Sequence, residues 1–216
     1  AAVALCREAG AVVIGKTVTT ELANMTAGAT RNPFNPAHTP GGSSMGSAAA
    51  VAAGMLPLAF CTQTNGSVIR PAAFCGCVGF KPNEGTLATA GIQPFSPTLD
   101  QPGLFARSVE DVALAFAALR EGPEASRTEA WPLPPLGRPA RLVAVRSPVW
   151  YLAKAEQRAQ FEADIRRLRE AGASVDVLEI PGEFDGAIRI HRSIMLFEAA
   201  RAAKRVRATH RDGFSD

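Results

Sequence analysis

Two short stretches pair hydroxyls with glycines, a combination suited to acyl transfer. The first is "GGSSMGS", residues 41–47, and the second is "TNGSV", residues 64–68. Gly41 and Gly42 allow unusual backbone angles just before Ser43 and Ser44. Asn65 and Gly66 mark a tight turn at Ser67. Such a turn leaves backbone N–H groups unpaired, and these can hold an oxyanion beside a serine hydroxyl. A serine hydroxyl alone is a poor nucleophile and needs a base. Either stretch by itself reads as an ordinary Gly/Ser turn; only the two together suggest a site.

A third stretch has to be read the other way. "GAVVIGKT", residues 10–17, matches the phosphate-loop pattern G-x-x-x-x-G-K-[ST] letter for letter. Its middle residues, Ala11, Val12, Val13 and Ile14, suit a strand better than a curled loop. "VTT" after Lys16 is a poor helix start, so no nucleotide site is expected here. Cys6, Cys61, Cys75 and Cys77 lack the spacing of a zinc site or a disulfide framework. They are expected as reduced thiols packed as small apolar groups, in a cytoplasmic setting. No metal and no cofactor are expected.

The elements that must position the two turns follow from pattern. Ser47 stands where it could cap the alanine-rich helix "AAAVAAG", which Gly54 ends. "MLPLAFCTQT" is a mostly apolar, buried run leading to the Ser67 turn. Pro71 fits the first turn of the helix that follows. "REAGA" occurs at 7–11 and again at 169–173, each time closing a helix before a β-branched run, "AVVIG" or "SVDVLEI". From residue 140 the pattern is β-α-β-α: "RLVAV", a helix over 153–171 with Phe161, Ile165 and Leu168 on one face, "SVDVLEI", and a helix from near Gly186 with Ile190, Ile194 and Phe197 on its apolar face. Alternating strands and helices predict an α/β fold: a mixed, largely parallel sheet covered by helices. Residues 122–139 hold five prolines and read as a surface loop.

The totals agree with a packed domain. The chain has 216 residues, 47% hydrophobic and 20% charged, enough to bury a core. A net charge of +3 implies no nucleic-acid partner. The basic residues Arg201, Lys204, Arg205, Arg207 and Arg211 read as a solvated helix face. The longest apolar stretch, 48–60, is broken by Gly54 and Pro57 and is too short to cross a bilayer. No membrane partner is expected, and a homodimer is left open.

These stretches together resemble the amidase signature family. "GGSSMGSAAAVAAG" resembles its glycine/serine-rich signature, and "TQTNGSVIRPAAFCGCVGFKP" resembles its nucleophile segment. "REAGAVVIGKTVTTELA" (7–23) and "SPTLDQPGLFARSVEDVALAF" (96–116) resemble the flanking stretches. The match is close to about residue 121 and looser beyond.

The resemblance implies hydrolysis of a carboxamide through an acyl-enzyme, with a Ser–Ser–Lys triad. It places the nucleophile at Ser67 and the bridging serine at Ser43, after a cis peptide that Gly42 precedes. It places the oxyanion hole at the N–H groups of Thr64, Asn65, Gly66 and Ser67. The family's basic lysine lies upstream of the "GKT" segment; Lys16, Lys81, Lys154 and Lys204 do not match it. The reading is therefore one α/β domain truncated at both ends: core 1–121, Pro-rich loop 122–139, β-α-β-α 140–216. Four departures stand out: Met45 for Gly or Ser, Asn65 for glycine, Gln63 where many members carry Asp, and Arg70 one place later than usual.

The function expected is a serine amidohydrolase cleaving small-molecule amides, with its lysine outside this chain. The alternative is an inactive fragment or non-catalytic relic of the fold. A third reading is a component of a tRNA-dependent amidotransferase.

Overall fold

The computed structural model describes residues 2–26, 28–120 and 137–210. The 122–139 loop expectation falls almost entirely outside them. The described residues divide into two compact units, one running to residue 120 and taking in 194–210, the other covering 137–193.

The first unit is built on three strands: β1 (Leu58–Gln63), β2 (Val78–Phe80) and β3 (Gln101–Ala106), in the order β1-β3-β2. β3 runs antiparallel to both neighbours, with Leu58 opposite Ala106, Gln63 opposite Gln101 and Val78 opposite Ala106. The two outer strands are therefore parallel to each other. They are joined by α3 (Ile69–Cys75), a crossover that leaves room for β3 between them. Here the expectation of a largely parallel sheet needs correcting. The α/β class and the mixed directions hold, but the ladders of this unit are antiparallel because the returning strand fills the gap.

β3 is buried along its whole length, and its side chains alternate between two cores. Phe105 packs with Ala48, Val51, Val68, Ala72 and Cys75, which come from α2 (Met45–Ala52), the turn and α3. Leu104 packs on the other face with Cys6, Leu87 and Leu119, from α1 (Ala2–Glu8), a loop and α4 (Val109–Leu119). The sheet is thus sandwiched between two pairs of helices. α4 opens on Ser108, whose Oγ accepts from Asp111 N–H at 3.0 Å, with Glu110 and Asp111 complementing the helix N-terminus.

The second unit contains the parallel pair expected from sequence. β4 (Arg141–Arg146) and β5 (Ser174–Glu179) flank α5 (Ala155–Glu170) in sequence, as a β-α-β unit. Gly10 and Gly172 both take positive φ past their helices, as read from sequence. Arg146 bridges Glu162 at 2.9 Å and Glu179 at 3.1 Å, tying helix to sheet.

Two local expectations fail. "AVVIG" forms no ladder: residues 11–19 are irregular, with Val12 and Ile14 86% and 75% exposed. Its β-branched residues favour extended backbone, but no strand among the described residues pairs with it. The 23-residue helix α6 (Ala187–Thr209) is present, yet Ile190, Ile194 and Phe197 are exposed instead of buried.

Candidate functional site

Ser43 and Ser67 are both buried, 2% and 9% exposed. Each lies at the entrance to a helix on the same side of the sheet, where α2 and α3 share one core. The peptide between Gly42 and Ser43 is cis. That agrees with the bond expected there.

The backbones of the two turns meet. Arg70 lies on α3, and its N–H bonds back to Gly66 O at 2.9 Å. Its guanidinium donates twice to the Gly42 carbonyl, from Nε at 3.0 Å and Nη2 at 2.6 Å. The carbonyl just before Ser43 is thus held by a residue one helical turn after Ser67. Cys75 Sγ adds a bond to Pro40 O at 3.3 Å. Gly41 has φ +81, and a Cβ there would sit 2.9 Å from Pro71 Cα, so the close approach requires glycine.

The other hydroxyls of the first turn are occupied in holding it to β1. Ser44 Oγ donates to Thr62 O at 3.2 Å and accepts from Thr62 N–H at 3.3 Å. Ser47 Oγ donates to Phe60 O at 2.7 Å. This corrects its expected role as a cap: α2 starts two residues earlier, so Ser47 lies inside the first turn and bonds across to the strand. The Ser43 carbonyl accepts from Thr20 N–H, Met45 N–H and Thr19 Oγ1. Gly46 approaches Val18 so closely that a Cβ would lie 2.5 Å from Val18 N. Met45 is buried against this cluster, with Sδ 3.3 Å from where a Gly28 Cβ would stand.

At the second turn, Gln63 Oε1 accepts from Val68 N–H at 2.9 Å and Ile69 N–H at 3.1 Å, closing the start of α3 with a side chain. Thr64 Oγ1 donates to Asp100 Oδ1. Asn65 is exposed, so its side chain leaves the buried side of the turn free. Among residues the sequence did not single out for this site, Asp100, just before β3, holds the 64–68 turn through Thr64. Gln63 and Arg70 were visible only as residue and spacing variants.

Of the lysines in this unit, Lys81 Nζ donates to Pro82 O at 2.7 Å, and Lys204 is exposed on α6. Lys16 lines a cavity of about 670 Å³ with Val13, Ser47, Leu58 and Phe60. The element that follows it is a single three-residue 3-10 turn, Glu21–Ala23, and not an α-helix, which removes the phosphate-loop geometry. All four cysteines are free. Burial pushes the Cys75 thiol up to about 11, with Cys77 nearby adding to the rise, which disfavours the thiolate. Among the described residues no group of His, Cys, Asp or Glu is arranged to hold a metal, and no helix is long and apolar enough to cross a membrane.

Two buried serines thus stand on adjoining turns that Arg70 joins, and the family follows from comparison of the whole chain. The Amidase family model matches residues 1–215, and the chain belongs to that family. It is 40% identical over 189 residues to a glutamyl-tRNA(Gln) amidotransferase subunit of Symbiobacterium thermophilum, covering 81% of this chain and 39% of that protein. Among solved structures, 6-aminohexanoate cyclic dimer hydrolase complexed with substrate matches with TM-score 0.83 and 31% identity over 96% of this chain and 47% of that one. Native peptide amidase from Stenotrophomonas maltophilia matches with TM-score 0.77 and 32% identity, over 97% of this chain and 47% of its own. The chain spans about two fifths of the length of such curated relatives and just under half of these solved chains.

Proposed function

We propose that these residues form the nucleophile half of a serine amidohydrolase acting on small carboxamides. The observation that carries the reading is the double hydrogen bond from Arg70 to the Gly42 carbonyl, which ties the Ser43 turn to the Ser67 turn. Ser67 attacks the amide carbonyl and becomes acylated. The N–H groups of Thr64, Asn65, Gly66 and Ser67 receive the negative charge that develops on the carbonyl oxygen. Ser43 passes the Ser67 proton to the leaving nitrogen. A lysine outside these residues, as the family resemblance implies, serves as the base and is kept neutral by burial. Water then releases the acid product and restores Ser67.

A second reading has its own support. The 40% identity to the glutamyl-tRNA(Gln) amidotransferase component favours a role in which the amide cleaved is that of glutamine and the ammonia passes to a partner. Both readings use the same serine chemistry.

The test is the whole protein carrying these residues, assayed for ammonia release from aryl amides and from glutamine. A fluorophosphonate is expected to label Ser67, and Ser67→Ala is expected to lower kcat/KM at least about 10³-fold. Turnover that survives Ser67→Ala would overturn the proposal. Glutamine turnover that appears only with partner proteins and misacylated tRNA would select the second reading.

A further inference from the structure

We infer that Glu198, far from the two serines in sequence, is a positioning residue for the nucleophile loop, acting through the 95–100 turn and Asp100 on Thr64. The inference rests on the reading that Ser67 is the nucleophile, and it adds a control point on a different element, α6.

The path is a continuous set of hydrogen bonds. Glu198 Oε2 accepts from Ser96 Oγ at 2.6 Å and from Thr98 N–H at 3.0 Å, and Oε1 accepts from Thr98 Oγ1. Ser96 is wholly buried and is the junction. Its N–H donates to Asp100 Oδ2 at 2.9 Å, and its carbonyl accepts from Leu99 and Asp100 N–H, both at 2.8 Å. Phe95 N–H adds a second bond to Asp100 Oδ2 at 2.7 Å. The other Asp100 oxygen receives Thr64 Oγ1, the first residue of the nucleophile loop. Every side-chain link in the path ends on a carboxylate, and hydrogen bonds to charged acceptors are the stronger kind. Glu198 alone serves three donors, and the path holds while its carboxylate accepts from all of them.

Without Glu198, the Ser96 hydroxyl and the two Thr98 donors lose their shared acceptor. The turn can then move, and with it the Asp100 carboxylate that sets Thr64. Glu198→Gln removes the charge: its oxygen can still accept from Ser96 Oγ and Thr98 N–H and its NH2 can donate to the Thr98 hydroxyl, but all three bonds are then between neutral groups and weaker.

The experiment compares wild type, Glu198→Gln, Ser96→Ala, Thr64→Val and the double variant Glu198→Gln/Thr64→Val in the whole protein. Glu198→Gln is expected to lower kcat about tenfold with KM within about twofold, and Ser96→Ala to reproduce it. The double variant is expected to be no slower than Thr64→Val alone, since both changes break one path. Independent losses that multiply, or a KM effect with kcat intact, overturn the inference. A second readout does not need turnover. Amide hydrogen exchange at residues 64–68 and 95–100 is expected to rise about tenfold in Glu198→Gln, while exchange at the β1–β3 ladder stays unchanged. A uniform rise means a general loss of stability, and no rise at 64–68 means no coupling; either result rejects the positioning role. Should wild type show no turnover and no labelling at Ser67, the function proposed above fails, yet the exchange result still decides whether Glu198 sets the loop.

Discussion

The arrangement of the two serines depends on a few residues that could hardly be different. Gly41 is the clearest. Its φ of +81 and the 2.9 Å separation of a Cβ from Pro71 Cα mean that any side chain both strains the backbone and pushes α3 away. Gly41→Ala is expected to cost about 2–4 kcal/mol in urea unfolding of the whole protein and to slow fluorophosphonate labelling of Ser67. Unchanged unfolding would mean that the two turns do not pack this closely. The two turns were legible in the sequence because their signal is local: glycine next to serine, twice, is enough to mark both. Arg70 was less so. A spacing shift of one residue says nothing about which carbonyl its guanidinium will find 28 residues away. Glu198 left no trace at all, because its partners lie about a hundred residues earlier and a helical glutamate has no pattern to betray it.

Among the elements, the β1-α3-β2 crossover with β3 between its strands explains why the Ser67 turn sits at the end of β1. The apolar run before Ser67 marked β1, but register and direction need the partner strand, which sequence does not supply. The same limit explains the failure at residues 11–15. A β-branched run promises extended backbone, and only a neighbour can turn it into a strand. The 95–100 turn supplies a pH-dependent element. The Glu198 carboxyl is held below the usual range by the Ser96 hydroxyl, then by the Thr98 hydroxyl and N–H, with the Arg201 charge adding a smaller effect. A carboxylate lowered in the folded state stabilises it at pH above the ordinary carboxylate value and loses that contribution as pH falls through its folded value. Order in the turn is therefore expected to be constant from about pH 8 to about 5 and to decline below about pH 4. Exchange at Thr98 N–H, corrected for intrinsic pH dependence, measures it. Protection that falls already between about pH 7 and 6 would point to a different group.

For the molecule as a whole, the apolar surface is the informative quantity. Val12, Ile14, Met25 and Phe34 are exposed in the first unit, and Val143, Val177 and Leu178 in the second. Scattered exposed apolar residues are normal, but runs such as Val12–Ile14 usually meet a partner. The 216 residues on their own are expected to bind the dye anilinonaphthalene sulfonate and to self-associate in size-exclusion chromatography. A monomer without dye binding would show that these side chains tolerate water. Composition alone announced a packed core and could not announce this surface, since a hydrophobic fraction does not say which side chains are covered.

Asn65 is exposed on a turn whose anchors all belong to other residues: Gln63 before it, Arg70 after it, Asp100 beneath Thr64. Freedom to vary and intolerance of change therefore sit side by side. A saturation library across this region should accept many amino acids at position 65 and almost none at 41 or 46, so that diversification of the mouth can proceed without disturbing its frame.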